Sequence, residues 1–173
     1  PVQAQSESPE FEKGVEAFDA GKYKEAIGFW EPLAEKGNVE ALRNLAQLHR
    51  LGLGVQQDDS KAFELYEKAA ERGLAAAQVN AAFLLLTGKG VEQDRAKAAT
   101  WFAKAADQGN ALAQYNLGLM YEKGIGVKQN QDYAVELYSA AADQGQKRAI
   151  ARLDALDQTE YSGPEKIADS GET

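Results

Sequence analysis

The sequence predicts an all-α protein, an α/α solenoid of antiparallel helix pairs built from 36-residue units. One observation is a phrase that recurs at constant spacing: "GLGVQQD" begins at Gly52, "GKGVEQD" at Gly88 and "GIGVKQN" at Gly124. A second observation is the helical spacing of small and apolar residues around each phrase, and a third is that no segment reads as a strand. A fixed period of this length is the sequence signature of stacked repeats.

Each unit is expected to contain two helices. In the third unit, small or apolar residues fall at positions i, i+4, i+7 and i+8 of the first helix, which places them on one face. These residues are Ala113, Leu117, Met120 and Tyr121. The second helix carries a similar stripe, made of Ala134, Leu137, Tyr138, Ala141 and Ala142.

The recurring phrase predicts the corner between the two helices. Its first glycine ends the first helix, because glycine accepts the left-handed conformation common at helix C-termini. Its second glycine lets the loop turn again, and the following valine is expected to anchor the loop on the core. The phrase ends with Asp58, Asp94 or Asn130, whose side chains can accept hydrogen bonds from the free amides of the second helix.

The period divides the chain into repeats and end segments. The predicted segments are residues 1–9, a disordered N-terminal remnant; 10–36, a capping helix pair like a tetratricopeptide unit; 37–72, 73–108 and 109–144, three repeats; 145–156, a C-terminal capping helix; and 157–173, an acidic, disordered tail. Terminal repeats usually differ because they cover the open ends of the stack. In the C-terminal cap, we expect Leu153 and Leu156 to pack inward and Arg148 and Arg152 to face outward.

The third unit, "ALAQYNLGLMYEKGIGVKQNQDYAVELYSAAADQG", resembles the Sel-like repeats (SLR), a subclass of the tetratricopeptide-repeat superfamily with a longer loop between its helices. The matching positions are Ala113, Asn116-Leu117-Gly118, Tyr121, Gly124, Gly126-Val127, Ala134, Tyr138, Ala141-Ala142 and Gly145. The second unit departs from that pattern at Ala82 and Leu85, and the first unit at Ala46 and His49. The resemblance covers residues 37–156 and implies a solenoid whose first helices line the concave side.

Composition excludes several kinds of chemistry. The absence of cysteine excludes disulfides, thiolate metal sites and cysteine nucleophiles. A net charge of −8 disfavours nucleic-acid binding, which needs clustered basic residues. The most apolar run, Leu74 to Leu86, is shorter than the roughly 20 residues of a membrane span, so no membrane insertion is expected.

Catalytic and cofactor sites find no support in the residue pattern. The single histidine, His49, shares a repeat position with Leu85 and Tyr121, which predicts an aromatic at the edge of the core. The loop carboxylates are explained as helix caps. We therefore expect no enzyme activity, no catalytic residues, no bound metal and no cofactor.

The candidate groove is the face of the first helices that lies opposite the core stripe. Its residues recur at i, i+4 and i+7 of each first helix. They are Arg43, Gln47 and Arg50; Val79, Phe83 and Leu86; and Tyr115, Leu119 and Glu122. Exposed apolar patches often mark binding sites, so this surface is predicted to bind a protein or peptide. The alternative is that the same face packs neighbouring first helices together.

These observations favour a non-enzymatic, monomeric scaffold or adaptor that binds a protein or peptide partner. The resemblance implies adaptor, regulatory, secretion-related or host-interaction roles. Val2-Gln3-Ala4 before Gln5 has the small-residue pattern of a signal-peptidase site, so a periplasmic or secreted bacterial protein is expected, although the sequence could begin there for an unrelated reason. Two other functions remain open: an immunity protein or inhibitor of an exported enzyme, and an envelope hydrolase with an unrecognised carboxylate site.

Overall fold

A computed structural model describes residues 8–160, and all regular structure in this part of the chain is helical. The helices are α1 (Pro9–Asp19), α2 (Tyr23–Glu35), α3 (Val39–Leu51), α4 (Asp59–Glu71), α5 (Ala75–Thr87), α6 (Arg95–Asp107), α7 (Ala111–Lys123), α8 (Gln131–Asp143) and α9 (Lys147–Glu160). Each helix packs against its neighbours in the chain, so the layers follow chain order. The predicted all-α solenoid is confirmed.

The corner phrase begins and ends helices as predicted. Gly52 is the C-cap of α3 with a φ of 67° and a left-handed backbone, and the first glycines of the other two phrases do the same for α5 and α7. At the far end of the loop, the side chain of Asp94 accepts a hydrogen bond of 2.9 Å from the backbone amide of Lys97. Asp58 and Asn130 cap α4 and α8 in the same way.

The second glycine of each phrase touches the preceding unit. Gly90 has a φ of 70°, and a Cβ added to it would overlap the backbone of Asp59 and Ser60 at the start of α4. Gly126 approaches the start of α6 in the same manner, and Gly54 the start of α2. Each loop therefore lies directly on the first turn of the second helix of the unit before it, where no side chain fits.

The core runs continuously through the stack because alanines bring neighbouring helices close together. Fully buried alanines recur at the same positions of each unit, among them Ala62, Ala98 and Ala134. One large ring per unit fills the remaining space: Tyr66, Phe102 and Tyr138. The N-terminal pair uses Trp30 instead, and its indole nitrogen donates a hydrogen bond of 3.3 Å to the carbonyl of Phe11.

Polar side chains also join neighbouring units and the two helices within one unit. Lys97 of α6 pairs with Glu67 of α4 at 2.8 Å. Gln108 donates a hydrogen bond of 2.8 Å to Gln78, which is buried, and Gln144 bonds to Gln114 in the next unit at the same distance.

The last helix differs from the prediction in two respects. Helix α9 continues to Glu160, four residues beyond the expected end of the C-terminal cap, and the rest of the predicted tail lies outside the described residues, as do residues 1–7. Arg152 does not face outward as expected. Its guanidinium turns toward α7 and binds the carboxylate of Glu122, while Arg148 is exposed. Among the described helices, none is long and apolar enough to cross a membrane.

Candidate binding surface

The candidate groove lies along α3, α5 and α7, but its nine residues differ in accessibility. Arg50 is exposed, whereas Val79 is buried with only 5% of its surface accessible, so Val79 belongs to the core. The other seven residues are half-buried. The predicted surface therefore combines side chains that a partner could reach with side chains that hold the helices together.

Arg43 and Gln47 line a cavity of about 250 Å³ at the N-terminal end. Its other walls are Val15, Phe18 and Trp30 of the N-terminal helix pair, together with Asn44. The guanidinium of Arg43 lies 3.3 Å from the carboxylate of Glu40 on its own helix. The charge of Arg43 is thus already compensated, and the cavity offers mainly an apolar surface.

Arg50 and Phe83 line a larger cavity of about 440 Å³ between α3 and α5. The whole lining consists of Arg50, Leu51, Gln57, Asp59, Tyr66, Asn80, Phe83, Leu84, Thr87 and Lys89. Its size is within the roughly 300–1,000 Å³ typical of binding pockets. Leu51, at its rim, is 46% exposed, which is unusual for a leucine and provides an apolar contact point. We call this space the α3–α5 cavity.

Electrostatics in the α3–α5 cavity centre on Arg50 and Tyr66. Burial raises the pKa of the Tyr66 phenol, and the guanidinium of Arg50 beside it partly opposes that rise. The phenol therefore stays protonated and neutral at pH 7 and adds no negative charge. Among the described residues, Arg50 forms no ion pair with a carboxylate. Asp59 is the one acidic residue in the lining, against the two cations Arg50 and Lys89.

The aromatic residues of the candidate groove pack on buried rings of the second helices. The ring of Phe83 meets that of Phe102 edge-on, with 5.2 Å between centroids, and the ring of Tyr115 lies 5.8 Å from that of Tyr138. Leu86 and Leu119 also pack against the core. These contacts show that the packing alternative applies to part of the surface, mainly in the second and third repeats.

Glu122 closes the C-terminal end of the same face. Its carboxylate accepts hydrogen bonds of 2.6 Å from the Tyr138 hydroxyl and 2.8 Å from Nε of Arg152, and a second guanidinium nitrogen of Arg152 binds the other carboxylate oxygen. These hydrogen bonds from Arg152 are the main reason that the pKa of Glu122 is lowered, although burial opposes the effect. Burial and the bond to Glu122 raise the pKa of Tyr138.

His49 lies on a different side of α3, half-buried as the sequence predicted for the edge of the core. With Leu65 and residues of α2 and α4 it lines a cavity of about 350 Å³, and its Nδ1 is buried without a hydrogen-bond partner among the described residues. In the next unit, Leu85 and Trp101 stand at the positions of His49 and Leu65, and Trp101 is buried. The smaller side chain of Leu65 in the first repeat therefore leaves this space open. In the described part of the chain no three His, Asp or Glu side chains converge as a metal site would require.

Of the ten residues that line the α3–α5 cavity, the sequence predicted only Arg50 and Phe83 as part of the groove; it missed, among others, Leu51, Tyr66, Asn80 and Lys89. A comparison of equivalent positions could have found Asn80, because Arg152 occupies that position two units later and pairs with Glu122.

The fold and this surface define a class: an α-solenoid of two-helix repeats, with cavities open along the first helices. The chain belongs to the Sel1 repeat family, since the family's Sel1 repeat model matches residues 39–74, 75–110 and 111–146. The resemblance to Sel-like repeats is thereby confirmed. The three matches begin two residues after the repeat boundaries predicted from the glycines, at the first residue of α3, α5 and α7.

Solved structures show the same architecture. A Sel1 repeat protein from Oxalobacter formigenes is 34% identical with a TM-score of 0.77, and the match covers 80% of this chain and 57% of that one. A protective antigen of uropathogenic Escherichia coli with an SLR fold is 30% identical with a TM-score of 0.81, and the match covers 96% of this chain and 35% of that one. This chain thus spans less than two thirds of either relative. Cysteine-rich protein B of Helicobacter pylori shares the fold at 20% identity and a TM-score of 0.56. No match was found among curated proteins.

Proposed function

We propose that this chain is a non-enzymatic scaffold that binds a protein or peptide partner along its first helices. The observation that carries the proposal is the contrast between the two ends of one face. At the C-terminal end, Arg152 and Glu122 fill the space between α7 and α9. At the N-terminal end, the cavities of about 250 and 440 Å³ are open, and residues of the candidate groove line both.

The two open cavities suit an extended or helical protein segment. They lie on opposite sides of α3, with Gln47 in one and Arg50 in the other, less than one helical turn apart in sequence. Each has an apolar wall and a polar rim, the combination that anchors side chains at protein interfaces. Solenoids of this kind use such extended surfaces for binding.

Further support comes from the ionisable groups. The lowered pKa of Glu122 and the raised pKa of Tyr138 belong to one ion-paired network that holds α9 in place. Among the described residues, no open cavity holds a proton donor and a proton acceptor whose pKa values are shifted. General acid–base catalysis would require such a pair. A binding role needs no such pair.

The absence of cysteine makes this proposal directly testable. A single cysteine carrying a photo-activated cross-linker is placed at Gln47 or at Thr87, each in one open cavity, and in a control variant at Thr100, which is exposed on second helix α6. We expect partner proteins in an extract of the native organism to be captured from Gln47 and Thr87 but not from Thr100. Equal capture from all three sites, or capture from Thr100 alone, would contradict binding along the first helices.

We also propose that the protein acts outside the bacterial cytoplasm as a monomer with a regulatory role. The support for export is the small-residue pattern Val2-Gln3-Ala4, and one similar chain is described as a protective antigen. Fractionation of the native host with antibody detection tests the location: recovery only from the cytoplasm would contradict export.

The large hydrophobic side chains found exposed in the described part of the chain, Leu51, Leu112 and Ile150, lie on three separate helices, which favours a monomer. Light scattering after gel filtration measures its mass.

A further inference from the structure

The repeats place different charges at one equivalent position near the end of each first helix. This position holds Arg50 in α3, Leu86 in α5 and Glu122 in α7. Below it, the second helix of the same unit presents Tyr66, Phe102 or Tyr138. Across from it, the next first helix presents Asn80, Asn116 or Arg152. The three positions form the same triangle in each repeat, with different chemistry.

In the third repeat this triangle contains both a cation and the anion that pairs with it. The carboxylate of Glu122 accepts hydrogen bonds from the Tyr138 hydroxyl and the Arg152 guanidinium, and the Glu122 side chain is only 10% exposed. In the second repeat, Leu86 packs against the core, and no charge needs a partner. The third repeat thus shows that the space between adjacent first helices accommodates a guanidinium–carboxylate pair over a tyrosine hydroxyl.

In the first repeat the triangle contains the cation without the anion. Arg50 lies beside the Tyr66 hydroxyl, which is neutral at pH 7 because the pKa of a phenol is already about 10 and burial raises it further. The residue across from it, Asn80, is uncharged, and the α3–α5 cavity of about 440 Å³ occupies the space between α3 and α5. Lys89 adds a second positive charge to the lining, opposed by Asp59 alone. Arg43, the other arginine of this face, has its own carboxylate in Glu40.

We infer that the α3–α5 cavity binds an aspartate or glutamate side chain of a partner protein, with the carboxylate held by Arg50. This inference rests on the proposed function and names the chemistry that the partner supplies. A carboxylate can accept two parallel hydrogen bonds from a guanidinium, as Glu122 does from Arg152. In the first repeat the cation belongs to this chain, and the anion comes from outside.

The walls of the cavity define the neighbours of that acidic residue. Leu51 at the rim and Phe83 and Leu84 along α5 present apolar surface next to Arg50. The segment recognised is therefore an acidic residue adjacent to an aliphatic or aromatic residue. The apolar contacts supply affinity, and the charge pair with Arg50 selects against a segment that carries lysine or arginine at the same place.

Random 12-residue peptides displayed on phage serve as the probe, selected on the wild-type chain. We expect the selected peptides to share an Asp or Glu next to an apolar residue, and Arg50→Glu to weaken their binding at least tenfold. Arg148→Glu is the matched control, because Arg148 is an exposed arginine on α9. Circular dichroism verifies that both variants keep their helical content.

A second variant closes the cavity from within the chain. Asn80→Glu places a carboxylate across from Arg50, so the pair has the same two side chains as Glu122 and Arg152 with their positions exchanged. We expect Asn80→Glu to raise the melting temperature and to weaken the selected peptides as strongly as Arg50→Glu does. The gain in melting temperature is expected to disappear in the double variant with Arg50→Leu, since leucine is the natural residue at that position of the second repeat.

The outcomes separate this inference from the proposed function. Selected peptides that cross-link from Gln47 and Thr87 but lack an acidic residue, or that bind Arg50→Glu within twofold of wild type, overturn the carboxylate site and leave the scaffold proposal standing. A melting temperature of Asn80→Glu that does not depend on Arg50 also overturns it. A selection that yields no peptide, or only peptides that cross-link from Thr100, overturns both.

Discussion

Removal of the Glu122 carboxylate is expected to release the last helix without unfolding the stack. In the variant Glu122→Ala, Arg152 loses two hydrogen bonds and the Tyr138 hydroxyl loses its acceptor. Hydrogen bonds to charged groups contribute roughly 1.5–3 kcal/mol, and an unpaired buried hydroxyl costs about 1–3 kcal/mol. Arg152 is 36% exposed, so solvent screens its share and the lower part of these ranges applies. We expect a loss of about 2 kcal/mol.

The position of this network determines where the loss appears. Helix α9 packs mainly against α8, and Arg152 is its ionic link to α7. In a solenoid, a unit contacts only its neighbours, so a terminal helix can open while the rest stays folded. Only the Arg152 share of this loss, about 1 kcal/mol, changes the opening of α9, and it corresponds to roughly fivefold faster amide hydrogen exchange by local opening. We expect this acceleration at Ala149 to Leu153 of α9 and unchanged exchange in α3 and α4.

Hydrogen exchange followed by NMR measures this effect residue by residue. Glu136→Ala on α8 is the matched control, because Glu136 is exposed and forms no ion pair among the described residues. A double-mutant cycle with Arg152→Ala is expected to give a coupling of about 1 kcal/mol. Acceleration below threefold in α9, or an equal acceleration in every helix, would refute the assignment of this network to the end of the stack.

The same network has a defined pH dependence. The pKa of Glu122 is lowered in the folded protein, so its contribution is complete above the ordinary glutamate pKa of about 4.3. That contribution is lost as the pH falls through the lowered pKa, because the folded state must then take up a proton against Arg152. Protection of α9 is thus expected to decrease below about pH 4 in wild type, and this decrease is expected to be absent in Glu122→Ala.

Three further substitutions test the corner and the first-helix packing by thermal and urea unfolding. Gly90→Ala is expected to cost about 3 kcal/mol of stability, because it adds both left-handed backbone strain and overlap with the start of α4. Gly73→Ala adds the strain alone and is expected to cost about 1 kcal/mol. Equal losses in the two variants would contradict the loop contact. Asp94→Ala removes the cap of α6 and is expected to cost about 1 kcal/mol, and no loss would show that solvent satisfies the amide of Lys97. Phe83→Ala removes a half-buried ring that packs on Phe102 and is expected to cost about 2 kcal/mol, less than the loss of a fully buried ring would cost. An unchanged stability would show that Phe83 does not contribute to packing and is available to a partner.

The period of the sequence predicts the architecture well because the same local sequence pattern occurs three times. The caps at Asp58, Asp94 and Asn130 and the left-handed glycines at Gly52, Gly88 and Gly124 depend only on neighbours in the chain. Such local features are visible in one sequence, and repetition removes the ambiguity of each single occurrence.

The candidate surface is less predictable because it depends on contacts between repeats. The helical spacing places Val79 on the outer face, yet the close approach of alanine-rich helices buries it. The spacing in the sequence places Arg152 on a solvated face, but the fold brings α9 beside α7, where Glu122 lies within reach. Side chains separated by 30 residues meet because successive units are rotated relative to each other. The periodicity of a single helix does not reveal that rotation.

The contact between each corner loop and the preceding unit has a consequence for the history of the chain. Gly90 and Gly126 meet backbone atoms of the helix before them, not side chains. A contact made of backbone and glycine does not depend on which side chains lie on either side of it. Duplication or loss of a whole 36-residue unit can therefore lengthen or shorten the array while this contact is preserved, and only the side-chain contacts between units must adjust. Individual units remain free to diverge at positions such as Arg50, Leu86 and Glu122.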